Sequence, residues 1–137
     1  MATFNKFQDF VEALGLGEHN LNTDTLKVYL SNITPSASDD ADKENLDEIA
    51  AGNGYTAGGT DIINAWAESG GTGTLTGTNV TWTASAGTIG PFRYVVLYND
   101  THSTDGLIGW WDYGSSITLN DGEQFTVDFG ATILTIA

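Results

Sequence analysis

The sequence predicts a mainly β protein: an antiparallel β-sandwich or jelly-roll-like body with a short N-terminal helix and a β-hairpin in front of it. Three observations carry that prediction. From Thr60 to Ala137 the chain is a succession of short runs rich in Thr, Val, Ile and aromatic residues, separated by Gly, Asn and Asp, as antiparallel sandwiches and barrels require. Within the runs apolar and polar residues alternate: Phe125, Val127 and Phe129 share one face of "FTVDF", and Val80, Trp82 and Ala84 share one face of "NVTWTA". This is the period of two of a half-buried strand. A sustained helical period occurs only at the N-terminus.

That helix comes first in the chain. Phe4, Phe7, Phe10, Val11 and Leu14 fall on one face of a 3.6-residue period, with Thr3 placed to cap the helix and Gly15 to end it. In "DTLKVYLSN", residues 24–32, Leu26, Val28 and Leu30 alternate against Lys27, Tyr29 and Ser31 as in a strand with one buried face, and Pro35 closes it. Residues 36–48, "SASDDADKENLDE", are acidic and poor in apolar side chains, which predicts a surface loop with one helical turn near "ENLDEIA". The body strands are expected near 60–68, 72–77, 79–85, 92–99, 106–112, 115–119, 123–129 and 132–136, turned by "SGG", "TGTN", "NDTHSTDG", "YGS" and "NDGE". Residues 1–59 are thus expected to pack on a body formed by residues 60–137, as one compact domain.

Length and charge bound the function. A chain of 137 residues is large enough for one core without a covalent staple. Eighteen acidic against four basic side chains give a formal charge of −14, and Lys6, Lys27, Lys43 and Arg93 are scattered. Phosphate contact needs a concentrated basic footprint, so nucleic acid is an improbable partner, and an anionic membrane surface is disfavoured for the same reason. With no cysteine there is neither a disulfide, a thiolate metal site nor a thiol nucleophile. "MATFNKFQDFVEALGLG" lacks the basic and apolar regions of a Sec signal, and no stretch is long and apolar enough to span a bilayer, which predicts a soluble protein.

Site chemistry is sparse. "GNGYTAGG" matches neither a phosphate loop nor a dinucleotide turn. It reads as a structural corner in which Gly52, Asn53, Gly54, Gly58 and Gly59 accept positive φ while Tyr55 drops its ring over the sheet edge. Asp40, Asp42 and Glu44 alternate as in a calcium loop, but Asn45 stands where Gly is needed, so a solvated acidic loop is expected. His19 and His102 lie in different loops without a partner at zinc-ligand spacing. Asp61, Asp112 and Asp128 sit on or beside strands, but nothing pairs them as glycosidase carboxylates, and no Ser–His pair or nucleophile elbow is present. No catalytic residue, metal or cofactor is therefore assigned. The rings Trp66, Trp82, Trp110, Trp111, Tyr94, Tyr98 and Tyr113 keep a sugar platform in view. In "GLIGWWDYG" adjacent Trp110 and Trp111 must point to opposite faces of a strand, so one of them faces water, a partner or the N-terminal helix.

Two segments, "HNLNTDTLKVYLSNITPS" with "LDEIAAGNGYTAGG", and "FRYVVLYNDTHSTDGLIGWWDYGSSITLNDGEQFTVDF", resemble small structural proteins of tailed bacteriophages, including the capsid decoration (cement) proteins. The matching motifs are His19, Asn20 and Leu21; Gly52, Asn53, Gly54 and Tyr55; and Trp111, Asp112, Tyr113 and Gly114. The resemblance implies a non-enzymatic virion protein, made in the host cytoplasm, that binds the major capsid protein on the outer shell surface as a homo-oligomer, a trimer being the expected state. Phe4, Phe7, Phe10, Trp110, Trp111 and Tyr113 are the expected capsid or subunit contacts, so Phe7→Asp or Trp110→Asp is expected to weaken assembly. A tail or head-fibre component that contacts the host, and a carbohydrate-binding β-sandwich module, share the fold class and stand as rivals.

Overall fold

The computed structural model describes residues 2–137. It is mainly β: ten strands and one short helix, all sheet pairings antiparallel. The elements are β1 (Asn5–Lys6), α1 (Gln8–Gly15), β2 (Leu26–Ser31), a 3₁₀ turn (Lys43–Asn45), β3 (Thr60–Asp61), β4 (Ala65–Ser69), β5 (Thr72–Thr76), β6 (Val80–Thr83), β7 (Ile89–Asn99), β8 (Leu107–Leu119), β9 (Gln124–Val127) and β10 (Leu134–Ile136).

One layer is a five-stranded sheet in the order β1-β8-β7-β2-β3, and the opposing layer holds a three-stranded sheet, β10-β5-β4, and the two-stranded β6-β9. The main core lies between them, where Leu26, Val28, Leu30, Val95, Leu97 and Ile108 of the large sheet meet Leu75, Val80, Trp82, Val127, Phe129 and Ile133. The expected alternation places Leu26, Val28, Leu30, Val80, Trp82, Val127 and Phe129 correctly. A β-sandwich buries one face of each layer this way.

The large sheet is also covered on its outer face. Tyr29, Tyr94, Val96, Tyr98 and Leu107 form a second cluster there with Phe7 and Leu46. Residues 36–48, expected as a surface loop, supply part of this cover. Leu46 is fully buried, Tyr29 Oη donates to its carbonyl at 2.8 Å, and Lys43 Nζ lies 4.9 Å from the Tyr29 ring centre. Tyr29 and Ser31 are consequently buried, and β2 is an interior strand packed on both sides. It pairs with β7 over its full length and with β3 across residues 32–59. Residues 2–59 therefore contribute two strands, β1 and β2, to the principal sheet, with β3 following at Thr60, and β2 belongs to no tight hairpin.

Three local expectations change for tertiary reasons. The helix begins at Gln8, because Asn5 and Lys6 pair with Trp110 and Gly109 of β8, and a ladder between strands satisfies more backbone than one extra helical turn. The run 60–68 divides at Ile63, whose φ is +51°, into β3 and β4. "YGS" is no turn: β8 runs unbroken from Leu107 to Leu119. Between the Phe92–Ile117 and Tyr94–Asp112 pairs, Arg93 alone faces Tyr113, Gly114, Ser115 and Ser116, so the expected turn is a large bulge inside one long strand.

The Gly-rich segment after the acidic loop is a tight turn. Gly52 and Tyr55 exchange both backbone hydrogen bonds, at 2.8 and 3.1 Å, across Asn53 and Gly54, both at positive φ. That geometry is the type I′ hairpin turn that Asn-Gly favours. A Cβ on Gly54 would collide with the Thr83 carbonyl, and one on Gly59 with the Val28 carbonyl, so backbone crosses backbone at both positions. Tyr55 is buried in the main core beside Trp82, ring centres 5.8 Å apart.

Candidate functional site

The short strand β1 organises the aromatic residues. It lies along β8 with Phe4 reaching the core side of that strand and Phe7 the outer side. Phe4 meets Trp111 edge-on at 5.2 Å and lies over Gly109, where any Cβ would strike its ring. Phe7 packs on Trp110 at 4.6 Å, and its amide donates to the Ile108 carbonyl at 3.1 Å. Trp111 continues to Phe129 at 5.5 Å. Phe10, on α1, stacks toward His19 at 5.4 Å.

These contacts correct the expected interface. Phe7 is 0 % and Phe10 2 % exposed, so both are core residues of this chain and offer no area to a partner. Phe7→Asp would place a carboxylate in the outer cluster and report on folding rather than assembly. Phe4, Trp110 and Trp111 are half-buried, each covered in part by an aromatic neighbour. Tyr113, at 55 % exposed, is the expected contact residue that remains largely free.

Trp111 and Tyr113 do meet in one place. They form one wall of an open groove of about 320 Å³ between β8 and β9, with Val95, Phe125, Val127 and Asp128 among its other lining residues. Phe125 is held from behind by Phe92, ring centres 4.9 Å apart, and touches Tyr113 at 5.6 Å. The bulge positions Tyr113. Asp112, immediately before it, accepts from Arg93 Nε at 2.8 Å and Nη2 at 3.1 Å and from the Gly114 amide at 2.8 Å. The Arg93 hydrogen bonds hold the Asp112 carboxyl below the usual carboxylate range, with the Gly114 amide acting in the same direction. This two-pronged grip fixes the base of the bulge.

Several of the other acidic groups are engaged locally. Asp61 accepts from the Ile63 amide at 2.8 Å and Asp128 from the Gly130 amide at 2.8 Å, so neither is paired with Asp112 across a cleft. In the acidic loop Asp40 accepts from the Ser36 amide at 2.7 Å, and Asp42 accepts from Thr104 Oγ1 at 2.7 Å. Among the described residues no group of three or more His, Asp or Glu side chains is arranged to hold a metal ion. No helix among them is long and apolar enough to cross a membrane. Glu48 accepts from Tyr55 Oη at 2.6 Å, from Lys43 Nζ at 3.0 Å and from the Gly58 amide at 3.0 Å, which locks the acidic loop to the glycine turn.

One constellation escaped the sequence. His19 and His102 stack at 5.2 Å, joining the loop after α1 to the loop between β7 and β8. Asn99 sits between them. Its Oδ1 accepts from the Thr101 and His102 amides at 2.9 and 3.2 Å, which orients its Nδ2 to donate to Asp24 at 2.7 Å and to His19 Nδ1 at 3.0 Å. His19 Nε2 is buried without a hydrogen-bond partner, while His102 Nε2 lies 2.9 Å from Glu18. Burial, and secondarily His102, push the His19 pKa below 6.5. Residues so far apart in sequence carry no spacing signal; the loops meet only because β2 pairs with β7.

No protein-family model, no curated protein and no solved structure matches this chain.

Proposed function

We propose that this protein is a non-enzymatic structural component of a tailed-bacteriophage virion, a decoration protein that binds the major capsid protein on the outer surface of the shell. The observation that carries the reading is the groove between β8 and β9: an exposed tyrosine raised on a clamped bulge beside half-buried Trp111 and Phe125. Aromatic side chains that are rigid and partly exposed are the usual anchors of protein contacts. The resemblance of the flanking motifs supplies the virion context, and the engagement of Asp61, Asp112 and Asp128 in local hydrogen bonds agrees with a binding role.

The test is binding of the purified protein to cognate shells stripped of their decoration. Tyr113 is exposed, so Tyr113→Ser leaves the fold intact; it is expected to lower shell affinity by about tenfold or more, the scale of an aromatic anchor. Wild-type occupancy at limiting concentration would remove the groove from the interface, and a wild-type protein that ignores shells would remove the decoration reading. A carbohydrate-binding role is favoured by the pairing of Trp111 and Tyr113 with the Asp128 carboxylate at one groove. Glycan-array binding lost on Tyr113→Ser, with no shell binding, would establish it instead.

A further inference from the structure

We infer that β10 is a self-association edge, through which two copies of this chain pair about a two-fold axis. The inference sets a two-fold pair against the trimer expected from the resemblance, and it stands apart from the decoration reading, since it needs no capsid.

Strand edges with unpaired amides invite pairing, and proteins blunt them with charge, proline or a covering segment. The other edges here are blunted. β1 carries Lys6, β3 carries Asp61 and β4 carries Glu68; β9 is flanked by Glu123 and Asp128. β6 is shielded by the glycine turn, with the Ser85 amide donating to the Asn53 carbonyl at 2.9 Å and Gly54 against Thr83. β10 pairs with β5 on one side only, and its segment "ATILTIA" contains neither a charged side chain nor proline.

The groove beside this edge is largely apolar, with no acidic side chain in its lining. An open groove of about 520 Å³ separates β10 from α1, lined by Val11, Leu14, Leu134 and Ile136, with Lys6 as its one charged residue. Val11 is 52 % and Ile136 44 % exposed. In a chain with 18 acidic side chains, a groove whose lining holds none of them lowers the repulsion between two like-charged copies that meet there. Lys6 forms no ion pair among the described residues, whereas Lys27, Lys43 and Arg93 each do. A short apolar strand is complementary to itself when run antiparallel, and that arrangement is isologous and closed. Pairing would join the two three-stranded sheets into one and cover Val11 and Ile136 of both copies.

The test is sedimentation equilibrium of the full chain in the absence of shells, at low and high salt. The expected result is a monomer–dimer equilibrium shifted toward dimer by salt, because screening weakens the repulsion between copies. Ile136→Lys and Val11→Lys are each expected to weaken the dimer by about tenfold or more, while Ile33→Lys, 53 % exposed in the loop after β2, leaves it unchanged. Thermal melts of each variant confirm the fold. A monomer at every concentration and salt, a trimer, or a dimer indifferent to both groove substitutions would overturn the inference. Shell binding by a monomer would overturn it and leave the decoration reading standing.

Discussion

At the scale of single residues, His19 is the most informative side chain. Desolvation and the neighbouring His102 lower its pKa, against the opposing pull of Asp24, Glu18 and Asp9. The folded chain thus holds this proton less tightly than the unfolded chain, where the value is near 6.5. Stability from this site is fully present above that value and is lost as pH falls through the lowered native value. A proton on Nδ1 would also face the Nδ2 donor of Asn99, which its two backbone partners hold in place. His19→Gln retains an acceptor for Asn99 without a titratable ring. The wild-type melting temperature is expected to fall more steeply than that of His19→Gln between pH 7 and pH 5; parallel curves would show that His19 is not the titrating group. Sequence could not locate this cluster, because its members are joined by β-sheet register and not by spacing.

At the scale of elements, periodicity located the strands whose burial is decided by the sandwich itself. Val80 with Trp82, Phe125 with Val127, and Leu26 with Val28 and Leu30 all face the main core as their alternation requires. It failed where a distant segment supplies the partner. Tyr29 looked solvent-facing because Leu46 and Lys43, which cover it, sit in a run whose composition is that of a loop. Asn5 and Lys6 looked helical because the β8 edge they pair with lies beyond residue 106. Of the candidate contact residues, Tyr113 was legible as an exposed aromatic, whereas Phe7 and Phe10 belong to a stripe whose burial depends on β1 crossing β8. The acidic loop is therefore a structural layer, and Leu46 is its anchor. Leu46→Ala is expected to cost about 2–5 kcal/mol, as other fully buried leucines do, read by chemical denaturation. A loss near zero would return residues 36–48 to the status of a surface loop.

At the scale of the whole molecule, a charge of −14 on 137 residues makes self-repulsion a property of every state. Added salt screens it, so the melting temperature of the monomer is expected to rise from low to moderate ionic strength, and a flat profile would mean the acids are neutralised locally. The order of the large sheet has a further consequence for synthesis. β2 finds its full-length partner only when residues 94–99 exist, and β1 has no partner until residues 109–110 do. Contacts this distant in sequence form slowly. A nascent chain that has not passed β7 offers Leu26, Val28 and Leu30 only the two residues of β3 beside their strand, so the large sheet cannot assemble until β7 and β8 are made. The chain's dense negative charge is then what keeps it from the wrong neighbours until the last strands arrive.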